Sequence, residues 1–126
     1  MVPEDVLQLA ERVLDLARAR GVRIATAESC TGGLVAGALT AIAGSSDVVE
    51  GGLEVAGVGA VVAVTGIAGP GGGSDSKPVG LVHFAVARKG GPTVHREMRF
   101  GDIGRQEVRA ASVKVALQML LERLGG

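Results

Sequence analysis

A chain of 126 residues with 47% hydrophobic content supports one compact domain over residues 1–126 and leaves no room for a second. Thirteen Lys and Arg balance thirteen Asp and Glu, no like-charged run forms a nucleic-acid or membrane tail, and 2% aromatic content removes the stacking platforms of single-strand binders. One cysteine rules out an internal disulfide, residues 1–5 lack the regions of a secretory signal, and no apolar stretch approaches the ~20 residues of a membrane span. A soluble cytoplasmic protein without nucleic-acid or membrane partners is therefore expected.

Pro3 in a first helical turn, the acids Glu4 and Asp5 at the positive dipole end, and apolar Val6, Leu9, Val13, Leu16 and Ala17 predict an amphipathic helix ending at Gly21. Residues 22–27 read as a short strand. Thr31-Gly32-Gly33 then opens a second helix carrying Leu34, Val35, Ala38, Leu39 and Ile42 at helical spacing. Between residues 43 and 59 glycines and short apolar pieces break every period, so only a loop or broken element is expected there. The continuous apolar run 60–64 predicts a central strand that delivers Thr65 to its end. Residues 66–78 are too rich in Gly, Ser and Pro for a regular element. Residues 81–88 and 93–100 read as a hairpin turning at Lys89-Gly90-Gly91-Pro92, and residues 105–124 as a long helix ended by Gly125. Helices that open, interrupt and close a set of strands predict an α/β domain of the three-layer α/β/α type with a mixed sheet.

Two turns combine hydroxyl residues with glycines at strand ends: Thr26-Ala27-Glu28-Ser29-Cys30-Thr31-Gly32-Gly33 and Thr65-Gly66-Ile67-Ala68-Gly69-Pro70. Bare glycine backbone lets N–H groups approach a ligand, so both turns point to one polar pocket. Ser29 and Thr31 stand where a helix dipole favours a phosphate or an oxyanion, although capping that helix is the commoner job of such residues. Cys30 is the rival nucleophile; an isolated cysteine is more often a small packing residue, which favours Ser29. Glu28 could orient a neighbour, carry a proton or simply be solvated. The loop after Thr65 has neither the Gly-Lys-Ser/Thr ending of a Walker loop nor Rossmann spacing, yet it sits where open α/β sheets bind ligands. Lys77 could meet an anion or do nothing. His83 and His95 lack metal-ligand spacing and read as structural or surface residues, so no metal or cofactor is expected.

These motifs, with Leu39-Thr40, Gly44-Ser45-Ser46, Gly51-Gly52, Gly72-Gly73 and Lys77-Pro78-Val79-Gly80 in the same order and an Arg-bearing helix from Arg105 to Arg109, resemble the C-terminal domain of the competence- and damage-inducible protein CinA. That family is also known as the nicotinamide mononucleotide (NMN) amidohydrolases, PncC. The resemblance covers nearly the whole chain. It implies hydrolysis of NMN to nicotinate mononucleotide and ammonia without metal or organic cofactor. Ser29 would be the nucleophile with Glu28 and Thr31 beside it. Amides of the Thr31 to Gly33 turn would stabilise the oxyanion, and Cys30, Gly32, Gly33, Thr65, Gly66, Ala68, Gly69, Lys77 and Arg105 would line the substrate. A homo-oligomer is expected to cover apolar surface. One departure stands out: the family carries a Tyr-Ser-Asn motif with a nearby lysine, then a turn and helix, where this chain joins Gly52 to Leu53 and holds no Tyr. Without that lysine, a non-catalytic nucleotide-binding or regulatory module is the alternative.

Overall fold

The computed structural model describes residues 2–49 and 59–125; the join at Gly52–Leu53 lies outside the described residues. Its elements run α1 (Glu4–Arg20), β1 (Ile24–Glu28), α2 (Leu34–Thr40), a 3-10 turn (Ser45–Asp47), β2 (Ala60–Gly66), β3 (Leu81–Arg88), β4 (Val94–Arg99) and α3 (Arg105–Arg123). Expected and observed elements agree to within a few residues. The stretch left unassigned contributes the 3-10 turn and a parallel bridge from Val49 to Ile24 at the free edge of β1.

The four strands form one mixed sheet in the order β1-β2-β3-β4, with β1 parallel to β2 and the other pairs antiparallel. Period-two alternation divides it into two faces. Ala60, Val62, Val64, Val82, Phe84 and Val86 are buried on one face, where α2 packs on β1 and α3 packs on β2 and β3. Helix α1 lies against α2 and α3, closing the core with Val6, Ala10, Val13, Leu14 and Ala17. The expected α/β class and mixed sheet are thus observed. Among the described residues the helices stack on one side of the sheet, and the opposite face, with half-buried Val61, Ala63, His83 and Ala85, stays open. No described helix is long and apolar enough to cross a membrane.

Helix α1 stops because Gly21 turns left-handed at φ 63° and returns its amide to the carbonyls of Ala17 and Arg18. Arg18 in that last turn also grips Asp47 through Nε at 3.0 Å, and Lys114 on α3 holds Asp5 at 2.6 Å. Each cation keeps its partner's carboxyl below the ordinary carboxylate range, chiefly through the side-chain hydrogen bond. A carboxylate depressed on folding adds stability above its unfolded pKa, and that contribution disappears as pH falls through the folded value. Asp47→Asn is accordingly expected to flatten the decline of the urea midpoint between neutral pH and the acid end of the carboxylate range. The effect is modest because both carboxylates are exposed.

Candidate active site

Strand β1 ends at Glu28 and hands the chain to Ser29, whose amide continues the ladder by donating to the Val64 carbonyl at 2.9 Å. Its hydroxyl reaches the same carbonyl at 3.4 Å and is otherwise exposed. Cys30, one residue on, turns inward and is 8% exposed. Burial pushes its thiol pKa upward, against a smaller opposing pull from the Arg109 and Arg105 guanidiniums. The pair therefore separates into an accessible hydroxyl and a buried thiol whose pKa is pushed up.

Glu28 has a larger structural part than any of its sequence readings. Its Oε1 accepts the Thr31 hydroxyl at 2.7 Å and the Val35 amide at 2.8 Å, while Oε2 accepts the Ala36 amide at 3.1 Å. The carboxylate thereby caps α2 from the preceding strand, satisfying amides that the helix cannot satisfy itself and facing its positive end. The expectation that Ser29 or Thr31 caps this helix is corrected: the residue at the cap position is Gly33, which has no side chain to offer, and the Thr31 hydroxyl is committed to Glu28. Glu28→Ala is expected to cost about 2–4 kcal/mol, since it strands three donors of which one is a buried hydroxyl. Urea denaturation measures it, and a loss below 1 kcal/mol, roughly one neutral hydrogen bond, would show that the cap matters little.

Gly32 and Gly33 hold φ values of 57° and 94°, and a side chain at Gly32 would also strike Arg109. The Gly32 amide is spent on the Ser29 carbonyl at 3.0 Å. That narrows the expected oxyanion donors to the Thr31 and Gly33 amides, which make no backbone hydrogen bond among the described residues.

Thr65 emerges exposed from β2 directly beside Ser29 on the open face, and an open depression of about 340 Å³ is lined by Ala27, Glu28, Ser29, Ala63, Val64 and Thr65. Gly66 follows, where a Cβ would collide with the Leu81 carbonyl and Val82, so the close strand crossing demands glycine. Ala68 and Gly69 are buried, and the Gly69 carbonyl accepts Arg105 Nη1 at 3.0 Å. Lys77 is exposed, does not line the depression, and has its amide held by the Ser74 hydroxyl at 3.1 Å.

Arg109, which the motif names only as the end of the Arg-bearing helix, holds the site together as well. One helical turn after Arg105 on α3, it donates Nη2 to the Thr31 carbonyl at 3.2 Å, and its buried Nε finds no hydrogen-bond partner among the described residues. Arg105 thus ties α3 to the turn after β2, and Arg109 ties the same helix to the turn after β1. The i,i+4 spacing of the two arginines was the available signal.

With this geometry in view, the family model described as the CinA C-terminal domain matches residues 6–56 and 53–124. The chain belongs to the CinA C-terminal domain family. A CinA-like protein of Synechococcus sp. (strain RCC307) is 46% identical over 151 residues, covering 89% of this chain but only 36% of that protein. Nicotinamide-nucleotide amidohydrolase PncC of Escherichia coli (strain K12) is 36% identical over 162 residues, covering 98% of this chain and 97% of that protein. The crystal structure of the competence/damage inducible protein CihA from Agrobacterium tumefaciens superposes with a TM-score of 0.89 at 43% identity, covering 100% of this chain and 99% of that one. The CinA-family chain therefore spans about a third of its CinA-like relative and almost all of its PncC relative, whose aligned span of 162 residues exceeds the 126 residues present here.

Proposed function

We propose that this CinA-family domain hydrolyses the carboxamide of NMN, giving nicotinate mononucleotide and ammonia through a serine nucleophile. The observation that carries this reading is the exposed Ser29 hydroxyl at a strand end, beside Thr65 and over an open depression, in a chain alignable with an amidohydrolase over nearly its full length. Ser29 attacks the amide carbonyl, the Thr31 and Gly33 amides receive the oxyanion, ammonia leaves, and water hydrolyses the acyl-enzyme. Thr65, Gly66, Ala68 and Gly69 line the nucleotide, and Arg105 offers its remaining donors to the phosphate at the positive end of α3. In the family the base is a lysine, a workable one when desolvation lowers its pKa.

Purified protein is expected to release ammonia from NMN in a coupled assay, with and without EDTA. Free nicotinamide is expected to react with a much lower specificity constant, because the ribose phosphate contributes binding energy that orients the amide. Background rates under both conditions would overturn the reading.

A second reading, a nucleotide-binding module without amidase activity, is favoured by one observation. The aligned PncC span is longer than this chain, and the family model matches in two pieces that meet at residues 53–56, next to the Gly52–Leu53 join. Intact mass separates the two. A mass clearly above 12.6 kDa supports a full-length molecule carrying the lysine-bearing segment, and agreement with 12.6 kDa together with NMN binding but no ammonia supports the module. The expected homo-oligomer is read from the same sample by light scattering.

A further inference from the structure

The open sheet face carries a second cluster of chemistry-bearing groups one strand beyond the Ser29 depression, where His83 pairs with Thr65. His83 on β3 stands opposite Glu97 on β4, and His95 on β4 stands opposite Ala85, so the two imidazoles are diagonal neighbours on one face of an antiparallel pair. His83 Nδ1 lies 3.3 Å from His95 Nε2, with the rings 24° apart in plane and their centroids 5.4 Å apart. Two metal–imidazole bonds of about 2.0–2.1 Å at a tetrahedral angle place their nitrogens about 3.3 Å apart. The other nitrogen of His83, Nε2, faces Glu97 Oε1 at 3.9 Å, and the second Glu97 oxygen takes Arg99 at 3.3 Å. At 3.9 Å this is a charge facing the ring rather than a hydrogen bond, and it favours the tautomer with the proton on Nε2 and a bare Nδ1, the arrangement that outer partners of metal-bound histidines impose. The His83 side chain is 40% exposed, and its neighbour Ala85, opposite His95, is small.

We propose that His83 and His95 chelate one divalent transition-metal ion of the zinc, nickel or copper class through Nδ1 and Nε2. Imidazole nitrogens select these ions over magnesium and calcium, which prefer oxygen ligands. In the tautomer with His83 protonated on Nε2, the metal-free pair is joined by His95 Nε2–H donating to His83 Nδ1. On binding, the His95 proton moves to its Nδ1, both facing lone pairs go to the ion, and no net proton is released. Among the described residues no group of three or more His, Cys, Asp and Glu side chains is placed to hold a metal ion, so the two imidazoles are the ion's protein ligands and water fills the remaining positions. The test reads metal binding alone and stands apart from any assay of amide hydrolysis.

Tag-free protein carrying Cys30→Ser, which removes the one thiol, is titrated with Ni²⁺ by calorimetry; the chain's two histidines are the two under test. One equivalent is expected to bind. His83→Gln and His95→Gln are each expected to weaken binding by about tenfold or more, and Glu97→Gln by about tenfold through loss of the orienting carboxylate. Histidine variants that bind as the parent does, or a parent that binds no Ni²⁺, would overturn the proposal. Should either variant fail to fold, imidazole ¹⁵N spectra of the parent titrated with Zn²⁺ give the same answer. Shifts at His83 Nδ1 and His95 Nε2 are expected, and unshifted nitrogens would overturn it.

Discussion

On the proposed mechanism, replacing Ser29 with alanine is expected to lower kcat for NMN by at least about a thousandfold, because the acyl-enzyme route would disappear while water and the positioned substrate remain. Little else is expected to change: Ser29 is exposed, and its hydroxyl makes one long contact of 3.4 Å, so the thermal midpoint shifts by no more than about 2 °C. Cys30→Ser answers the companion question. The thiol is buried and its pKa raised, so it contributes packing rather than nucleophilicity, and the serine variant is expected to keep most activity with a small loss of stability. A dead Cys30→Ser enzyme beside an active Ser29→Ala enzyme would replace the serine mechanism with a thiol one.

Gly80→Ala is expected to destabilise the fold by about 3 kcal/mol or more, the largest single-residue effect of any substitution this small. Two penalties add at that position. The backbone is left-handed at φ 91°, and a methyl group there would be driven into the backbone of Gly101. Neither neighbour can yield, since the Gly80 amide donates to the Ile67 carbonyl at 2.7 Å and its carbonyl accepts from Phe100 at 2.9 Å. The same two bonds join the loop after β2 to the approach to α3, so the variant is also expected to lose Arg105's grip on Gly69. A urea midpoint indistinguishable from the parent would mean the two segments can part without cost.

Local pattern made most of the elements legible. The apolar run of β2, the alternation of β3 and the helical spacing of α1 and α3 report burial that each segment requires for itself, and their positions followed directly. Ser29, Thr65 and Arg105 were legible through family motifs. What escaped depends on register between distant segments: Glu28 capping α2 from across a turn, Arg109 reaching Thr31 over 78 residues, and two histidines brought together by the β3–β4 ladder. No sequence period encodes these contacts, because they exist only after the sheet has chosen its pairing. Residues 43–49, the described start of the patternless stretch, gave no period for a related reason. The 3-10 turn at Ser45–Asp47 is held by tertiary contacts, among them Arg18 to the Gly44 carbonyl and to Asp47.

The packing of α1 against α3 joins the first helix of the chain to the last. During synthesis the apolar stripe of Val6, Ala10, Val13, Leu14 and Ala17 emerges early, yet its principal partner is complete only when Arg123 has left the ribosome. Nearly all of this domain must be outside the tunnel before the helix pair can close, and contacts of such long sequence separation form slowly. Nascent chains stalled within α3 should therefore recruit holdase chaperones at α1, and release of the final turns should dismiss them.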